Sequence, residues 1–297
     1  MIDKIKIYQK EVRTKLLKYG GLKEIIKKYG VMTIIDVAIS KFLNLISKRF
    51  YRPKATNYGL SEVFFHPRGI DRWSRYIHVI NEIRKINAES FSVLDVGAGG
   101  AGISGFASLL RKGCKFFLLD VRKDVFKGLR NVHSIVGDGC RLPFRGKVFD
   151  VVVSVDTVEH IPKSIRHSFF KELKRVCKKK IVITCPLQSY DSVFRGREYD
   201  IVFQYFYEKN YGVKEPNTAQ HIAAGHPTPE EIIRELPGCA IYGYKNCNTW
   251  LKYMLFSLKP FLGLFTGLLY YLFWKRNDDK PPYWGAIIIL NQNESQK

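Results

Sequence analysis

The sequence predicts an α/β fold, in which a doubly wound sheet of mainly parallel strands is covered by helices on both faces. From Phe91 onward, short apolar runs rich in Val, Ile and Phe alternate with stretches of helical periodicity. The run at residues 93–96 also leads directly into a glycine-rich turn, as the first strand of such a sheet does. A chain of 297 residues with 46% hydrophobic residues is large enough to bury the core that this fold needs.

The apolar runs predict seven strands, five in succession and two near the C-terminus. They cover residues 92–96, 115–120, 132–136, 149–155, 180–185, 239–244 and 282–290. Helices are predicted after Gly102, near residues 123–129 and over residues 163–177. A further helix begins with Thr228 as its N-cap and Pro229 in its first turn. Residues 187–227 carry few regular signals, so we interpret them as an insertion beyond the fifth strand.

The part of the chain before this pattern is interpreted as a separate extension. Residues 1–88 are predicted to be helical and basic, because Lys and Arg greatly outnumber Asp and Glu and apolar residues such as Leu16 and Ile25 recur at helical spacing. We expect this extension to act as a lid or an anchor for the main domain, residues 89–297.

The most apolar stretch of the chain, residues 253–276, is predicted to be an insertion between the last two strands. Its central part, residues 261–274, contains fourteen residues without a charge. A helix of this length is about 21 Å long, against about 30 Å for the core of a bilayer, so it is too short to span comfortably. One interpretation is a helix or hairpin that enters an anionic membrane surface from one side. The alternative is packing against the N-terminal helices or across a dimer interface.

The turn that follows the first strand has the spacing G-x-G-x-x-G at residues 97–102. Without side chains, such a turn lets backbone N–H groups approach a bound nucleotide. Three acids lie at the ends of the first three strands, Asp95, Asp120 and Asp138. A carboxylate at the end of the second strand can accept hydrogen bonds from both ribose hydroxyls, so the pattern predicts a ribonucleoside ligand.

Four motifs extend this pattern in order along the chain. They are VLDVGAG at residues 93–99, LD at 119–120, GDGCRLPF at 137–144 and FDVVVSVDTVEHI at 149–161. With these motifs the chain resembles the class I S-adenosylmethionine-dependent methyltransferases, especially the type 11 group that includes quinone-biosynthesis and small-molecule O-methyltransferases. The resemblance spans about residues 91–186. It implies a Rossmann-like, seven-stranded methyltransferase sheet and S-adenosyl-L-methionine as the cofactor.

The resemblance also implies which residues hold the cofactor. Asp95 and the backbone of Gly97, Ala98 and Gly99 are expected at the methionine end, and Asp120 at the ribose. Asp138 is expected to accept from the adenine amino group. The remaining members of the expected cofactor-binding set are Val121, Gly139, Cys140 and Val155.

In this reaction, the main role of the protein is to align a nucleophile behind the electrophilic methyl group. A hydroxyl acceptor would also need a base, and the candidates are His160, Asp156, His221 and His226. In similar enzymes the loop that holds the last two histidines lies over the acceptor pocket, although solvated loop histidines remain the alternative. No metal site is predicted.

The formal net charge of +22 favours polyanionic partners, which include nucleic acid, anionic lipid headgroups and phosphorylated substrates. Because the N-terminus lacks the apolar run of a secretory signal, we expect a cytoplasmic protein, at the cytoplasmic face of the membrane. The leading hypothesis is a methyltransferase that acts at oxygen on a small-molecule or lipid-linked amphipathic acceptor. One alternative is an RNA methyltransferase that uses the basic surface. Another is a non-catalytic or nicotinamide-binding Rossmann-like protein. The sequence predicts neither the acceptor nor the oligomeric state.

Overall fold

A computed structural model describes residues 69–110, 113–259 and 262–292. Most of the expected N-terminal extension and Phe261 of the apolar insertion therefore lie outside the described residues. Nearly all described residues belong to one compact unit, which comprises residues 53–258 and 263–297. Lys259 and Leu262 fall in a second unit whose other members are not described.

The fold is built on a seven-stranded sheet, as the sequence predicts. The strands are β1 (Phe91–Val96), β2 (Cys114–Asp120), β3 (His133–Val136), β4 (Phe149–Val155), β5 (Cys177–Pro186), β6 (Ala240–Asn246) and β7 (Tyr283–Asn291). They lie in the order β3-β2-β1-β4-β5-β7-β6, and all neighbours are parallel except that β7 runs antiparallel to both β5 and β6. The predicted seven-stranded Rossmann-like sheet is confirmed.

Helices lie on both faces of this sheet. They are α1 (Gly69–Arg84), α2 (Arg166–Val176), α3 (Gly196–Tyr211), α4 (Pro216–Ala224), α5 (Pro229–Glu235), α6 (Cys247–Ser257) and α7 (Thr266–Leu269). One core joins the sheet to α2, whose Phe169, Phe170 and Leu173 are fully buried. A second core joins it to α1 through residues such as Ile80 and Ile83. The helix predicted over residues 163–177 thus forms over Arg166–Val176, and its apolar residues pack against the sheet.

Two of the short predicted helices are 3₁₀ helices. The segment after the glycine turn forms a 3₁₀ helix over Gly102–Leu109, and the segment near residues 123–129 forms a single turn over Lys123–Phe126. The predicted helix after Thr228 is α5, and the Thr228 hydroxyl accepts a hydrogen bond from the Glu231 N–H at 3.2 Å.

The insertion at residues 187–227 is more regular than the sequence predicts, because it contains α3 and α4. The buried positions of α3 include Asp200 and Gln204, so polar residues interrupt the apolar period that normally reveals a helix. Its end is marked by Gly212, which has a φ of +68°. The start of α4 is capped by Glu215, whose side chain accepts from the Thr218 N–H.

The apolar segment forms short helical pieces that face partly inward. No helix within the described ranges is both long and apolar enough to cross a membrane. Tyr270 is buried against α6, and its hydroxyl donates to an Asp278 carboxylate oxygen at 2.5 Å. Leu272 and Phe273, in contrast, are each 63% exposed. The segment thus has one side packed on protein and another side open.

A buried ion pair ties the elements around the sheet together. The Arg166 side chain at the start of α2 is 1% exposed and lies 3.3 Å from the Glu231 carboxylate of α5. Its guanidinium also donates to the carbonyl oxygens of Ile161, Ala224 and Gly225. One cation therefore holds the loop after β4 against the end of α4.

We expect Arg166→Met to lower the free energy of unfolding by about 3–5 kcal/mol, because it leaves the Glu231 carboxylate buried without its cation. Urea denaturation measures the change. The control is Arg234→Met, whose side chain is 67% exposed and whose loss should cost less than about 0.5 kcal/mol. Equal stability of the two variants would contradict this interpretation.

Candidate functional site

A cavity of about 730 Å³ opens at the carboxyl ends of the parallel strands. Its walls come from the turn after β1, the ends of β2 and β4, the loop after β3, and helices α1, α3 and α4. Ligands of open α/β sheets bind at this edge because the strand order reverses there. The predicted site residues are therefore expected to line this cavity.

The glycine turn forms one wall, and its backbone requires glycine. Gly97 and Gly102 have φ angles of +79° and +49°. A Cβ atom at Gly97 would lie 2.3 Å from the Thr157 Oγ1, and one at Gly102 would lie 2.3 Å from an Asp95 carboxylate oxygen. The turn is held to β2 because the N–H groups of Gly97 and Ala98 donate to the Leu119 carbonyl oxygen. The backbone at the cavity wall is thus open to a ligand.

Asp120 is the last residue of β2 and lines the cavity. One of its carboxylate oxygens accepts from the Gly99 N–H at 2.9 Å, and the other accepts from the Arg122 N–H at 2.9 Å. The neighbouring Val121 also lines the cavity. A carboxylate fixed in this position suits the vicinal hydroxyls of a ribose.

The loop after β3 lines another part of the same cavity. An Asp138 carboxylate oxygen accepts from the Cys140 N–H at 2.8 Å. A Cβ atom at Gly139 would lie 2.7 Å from the Phe169 ring, so only glycine leaves this close approach possible. Burial and the Asp138 charge raise the pKa of the Cys140 thiol to about 11, which keeps the thiol itself uncharged. Such a wall fits an adenine ring.

Asp95 lies beneath the turn, outside the cavity lining. Its side chain is fully buried, and one oxygen accepts from the Ile103 N–H at 2.7 Å. The other oxygen has no hydrogen-bond partner among the described residues. Burial, helped by the charge of Asp120, raises the pKa of Asp95 to about 7. An unmatched buried carboxyl favours a nearby cation, and S-adenosylmethionine carries two, so the site fits this cofactor.

The structure brings most of the predicted cofactor residues together. All of them except Asp95 line the cavity, namely Gly97, Ala98, Gly99, Asp120, Val121, Asp138, Gly139, Cys140 and Val155.

A pair of imidazoles lies in the wall of the same cavity. The Nε2 atoms of His160 and His221 are 3.1 Å apart, and both residues line the cavity. The Nδ1 atom of His160 lies 3.1 Å from the Gln220 Oε1, and the Nδ1 atom of His221 lies 2.8 Å from an Asp200 oxygen. Two of the four predicted catalytic candidates therefore contact each other in the cavity wall.

Asp200 of α3 is the site residue that the sequence did not reveal. Its carboxylate is 2.8 Å from His221, 3.0 Å from the Nε2 of His226, and accepts from the Trp284 N–H at 2.7 Å. Burial alone would raise its pKa, but the hydrogen bonds from the two histidines outweigh it and leave the pKa of Asp200 lowered. His226 is buried on the far side of this carboxylate and does not line the cavity.

Asp156, the fourth candidate, is held by several donors. It follows β4 with a φ of +46°, and its carboxylate lies 3.1 Å from the Arg75 guanidinium of α1. The hydroxyls of Thr184 and Tyr244 donate to its other oxygen. The arrangement suits a structural role at the cavity wall. It also shows that α1, which the sequence assigns to the extension, contributes to the site.

Glu159 completes the surroundings of the imidazole pair. It is fully buried next to His160 in sequence, and its Oε1 lies 3.8 Å from the His221 Nε2. Within the described ranges neither of its carboxylate oxygens has a hydrogen-bond partner. Burial raises the pKa of this carboxyl. Ligand atoms lie within 4.8 Å of one another in two overlapping groups, Glu159–His160–His221 and Asp200–His221–His226.

The central part of the chain matches a known family model. Residues 94–184 match the family model of the methyltransferase domain. No curated protein matches the chain significantly in sequence.

The chain also matches solved structures at 25% sequence identity or less. A SAM-dependent methyltransferase from Archaeoglobus fulgidus is 16% identical, over 75% of this chain and 94% of that one, with a TM-score of 0.47. The YcgJ protein from Bacillus subtilis is 16% identical, over 72% and 96%, with a TM-score of 0.44. The PH0226 protein from Pyrococcus horikoshii is 25% identical, over 42% of this chain and 63% of that one, with a TM-score of 0.35. The chain thus matches slightly less than two thirds of the Pyrococcus protein's length.

We expect Asp120→Ala to weaken S-adenosylmethionine binding by at least roughly tenfold, because hydrogen bonds to a charged group contribute about 1.5–3 kcal/mol. Isothermal titration calorimetry measures the affinity. Asp124→Ala is the matched control, since Asp124 is an exposed acid four residues further on and should leave the affinity unchanged. Wild-type affinity in Asp120→Ala would show that the ribose lies elsewhere.

Proposed function

We propose that this chain, whose residues 94–184 match the model of the methyltransferase domain, methylates a hydroxyl oxygen. The acceptor is a small or lipid-linked amphipathic molecule, met at a membrane surface. The observation that carries the proposal is that one cavity contains both the glycine turn and the imidazole pair His160–His221.

The cofactor supplies a methyl group that is already electrophilic, because it is bonded to a sulfonium. The backbone of residues 97–102 and the carboxyls of Asp120 and Asp138, which line the cavity, would hold it, and the buried carboxyl of Asp95 lies beneath the turn. The protein's remaining task is to align the acceptor oxygen and to help it lose its proton.

An oxygen acceptor is supported by the polar groups that line the same cavity as the turn. In the transfer, the acceptor oxygen forms a bond to the methyl carbon while the carbon–sulfur bond breaks and its electron pair stays on sulfur. The hydroxyl proton has to leave, and the imidazole pair is the group in this wall that can assist its departure. Asp200 keeps His221 oriented for this role through the 2.8 Å contact to Nδ1.

An amphipathic acceptor is supported by the mixed lining of the same cavity. Asn217, Thr218 and Gln220 of α4 present polar groups, whereas Trp250 and Met254 of α6 present apolar ones. A polar head that bears the hydroxyl and an apolar body would both find matching surface.

Contact with a membrane is supported by the open side of the apolar segment. Leu268, Leu272 and Phe273 are exposed, and the basic residues Lys275 and Arg276 follow directly. Exposed apolar side chains next to cations suit the boundary of an anionic bilayer. The net charge of +22 acts in the same direction. A lipid-linked acceptor would then be taken from the surface on which the enzyme rests.

Mass spectrometry of cell extracts tests the reaction. We expect cells that produce the wild-type protein to contain a compound heavier by one methyl group, in the organic phase, that is absent from cells producing Asp120→Ala. A product found only in RNA would contradict the proposed acceptor class. The same compound in both strains would contradict enzymatic turnover at the assigned site.

Flotation with vesicles of anionic phospholipid tests the membrane contact. We expect the wild-type protein to float with the vesicles and the double variant Leu272→Ser/Phe273→Ser to lose at least half of this binding, because two apolar side chains no longer enter the interface. The matched control is Val136→Ser/Ile233→Ser, which removes two exposed apolar side chains elsewhere and should float like the wild type. Equal flotation of both double variants would contradict the proposed membrane face.

A further inference from the structure

The hydrogen-bond partners of the imidazole pair determine which ring nitrogens carry hydrogen. Asp200 accepts from the Trp284 N–H and lies 3.0 Å from the Nε2 of His226, so it is an ionised acceptor. The Nδ1 of His221, 2.8 Å from this carboxylate, therefore carries a hydrogen. The Nδ1 of His160 faces the carbonyl oxygen of Gln220 and carries one as well.

In the neutral forms of both rings, the two Nε2 atoms then present lone pairs to each other at 3.1 Å. A proton or a metal ion between the two nitrogens would remove this repulsion. A single proton shared by the two rings would satisfy the imidazoles but would leave the buried Glu159 carboxyl without a hydrogen bond among the described residues. Something that satisfies two nitrogens and a carboxylate oxygen together fits the site better.

We propose that Glu159, His160 and His221 bind a divalent first-row transition-metal ion, such as Zn²⁺, at the wall of the cavity. Two nitrogen ligands of a tetrahedral zinc ion are separated by roughly 3.3 Å, close to the 3.1 Å between the two Nε2 atoms. Two imidazoles and one carboxylate form a ligand set that such ions favour. The Glu159 oxygen 3.8 Å from His221 needs only a small movement to complete it.

The surroundings of the three ligands have the form of a metal site. A metal-bound histidine usually donates its second N–H to a carboxylate or carbonyl, and here Asp200 and Gln220 accept those hydrogens. Asp200 is an orienting partner of this site because its oxygens are already bonded to Trp284 and two histidines. Its place on α3 fixes the direction of the His221 ring.

The catalytic role of this ion rests on the proposed function, because the ion would activate the acceptor hydroxyl of the same methyl transfer. His160 and His221 line the cavity, so the remaining coordination positions of the ion face the acceptor. A hydroxyl that coordinates a divalent ion loses its proton to water at lower pH than a free hydroxyl does. The imidazoles would then assist the reaction as ligands of the ion.

Titration of the full-length, chelator-treated protein with Co²⁺ alone tests the site. We expect one Co²⁺ per chain by calorimetry, with visible absorption bands typical of cobalt bound to nitrogen and oxygen. Glu159→Gln and His221→Asn should each weaken binding by at least 100-fold, and Asp200→Asn by roughly 10–100-fold. His167→Asn is the matched control, because the His167 side chain is 71% exposed, contacts Glu235 of α5 and does not line the cavity, so that its loss should leave the affinity unchanged.

Binding of S-adenosylmethionine serves as the folding control for each variant, and it separates this inference from the proposed function. We expect Asp120→Ala to keep Co²⁺ binding while losing the cofactor, and Glu159→Gln to do the reverse. Absence of Co²⁺ binding to the wild type would overturn the metal site and leave a shared proton between the imidazoles. Equally tight binding in Glu159→Gln and His167→Asn would overturn it too. A bound ion without any methylated product would contradict the proposed function alone.

Discussion

The buried Asp200 carboxylate is the interaction on which the acceptor side of the structure depends. It is contacted by His221 of α4, by His226 in the following loop and by Trp284 of β7. A carboxylate in this position would be unfavourable without partners, since its burial costs several kcal/mol. Because the three donors come from separate segments, satisfying Asp200 fixes those segments relative to α3. The place of the imidazole pair follows from this constraint.

The cofactor side depends on a different constraint, which is the close approach of backbone and side chains at the ends of the strands. Gly97 passes so near to Thr157 that a side chain at that position would overlap it. The N–H of Gly99 is bonded to Asp120, so the turn and the ribose carboxylate form one unit. The cofactor side and the acceptor side are connected at the end of β4. Val155 lines the cavity there, and the chain continues from it to His160.

The sequence predicts the cofactor side well because its signals are local. Glycines at fixed spacing, an acid at the end of a strand and short apolar runs each depend on a few neighbouring residues. The positions of the seven strands along the chain follow from the apolar runs. Asp95 was expected at the methionine end of the ligand, and the structure places it beneath the turn, where it also accepts from Ile103.

The acceptor side depends on contacts between distant residues, which no single sequence reveals. His160 and His221 are 61 residues apart, and Asp200 lies on a helix whose buried positions are partly polar. The periodicity of α3 was hidden for that reason. Glu159 belongs to a recognised motif, but its isolation from hydrogen-bond donors is a property of the folded core. The helix α1 was assigned to the extension, because nothing in its sequence shows that Arg75 would lie beside Asp156.

The central claim is that one cavity aligns the cofactor with an activating group for the acceptor. A crystal structure with S-adenosylhomocysteine tests it most directly, because the ligand's sulfur marks where the methyl group leaves. The account predicts the ribose hydroxyls on Asp120, the adenine beside Asp138 and the sulfur directed toward His160 and His221. A ligand outside this cavity, or a sulfur directed away from the imidazole pair, would contradict it.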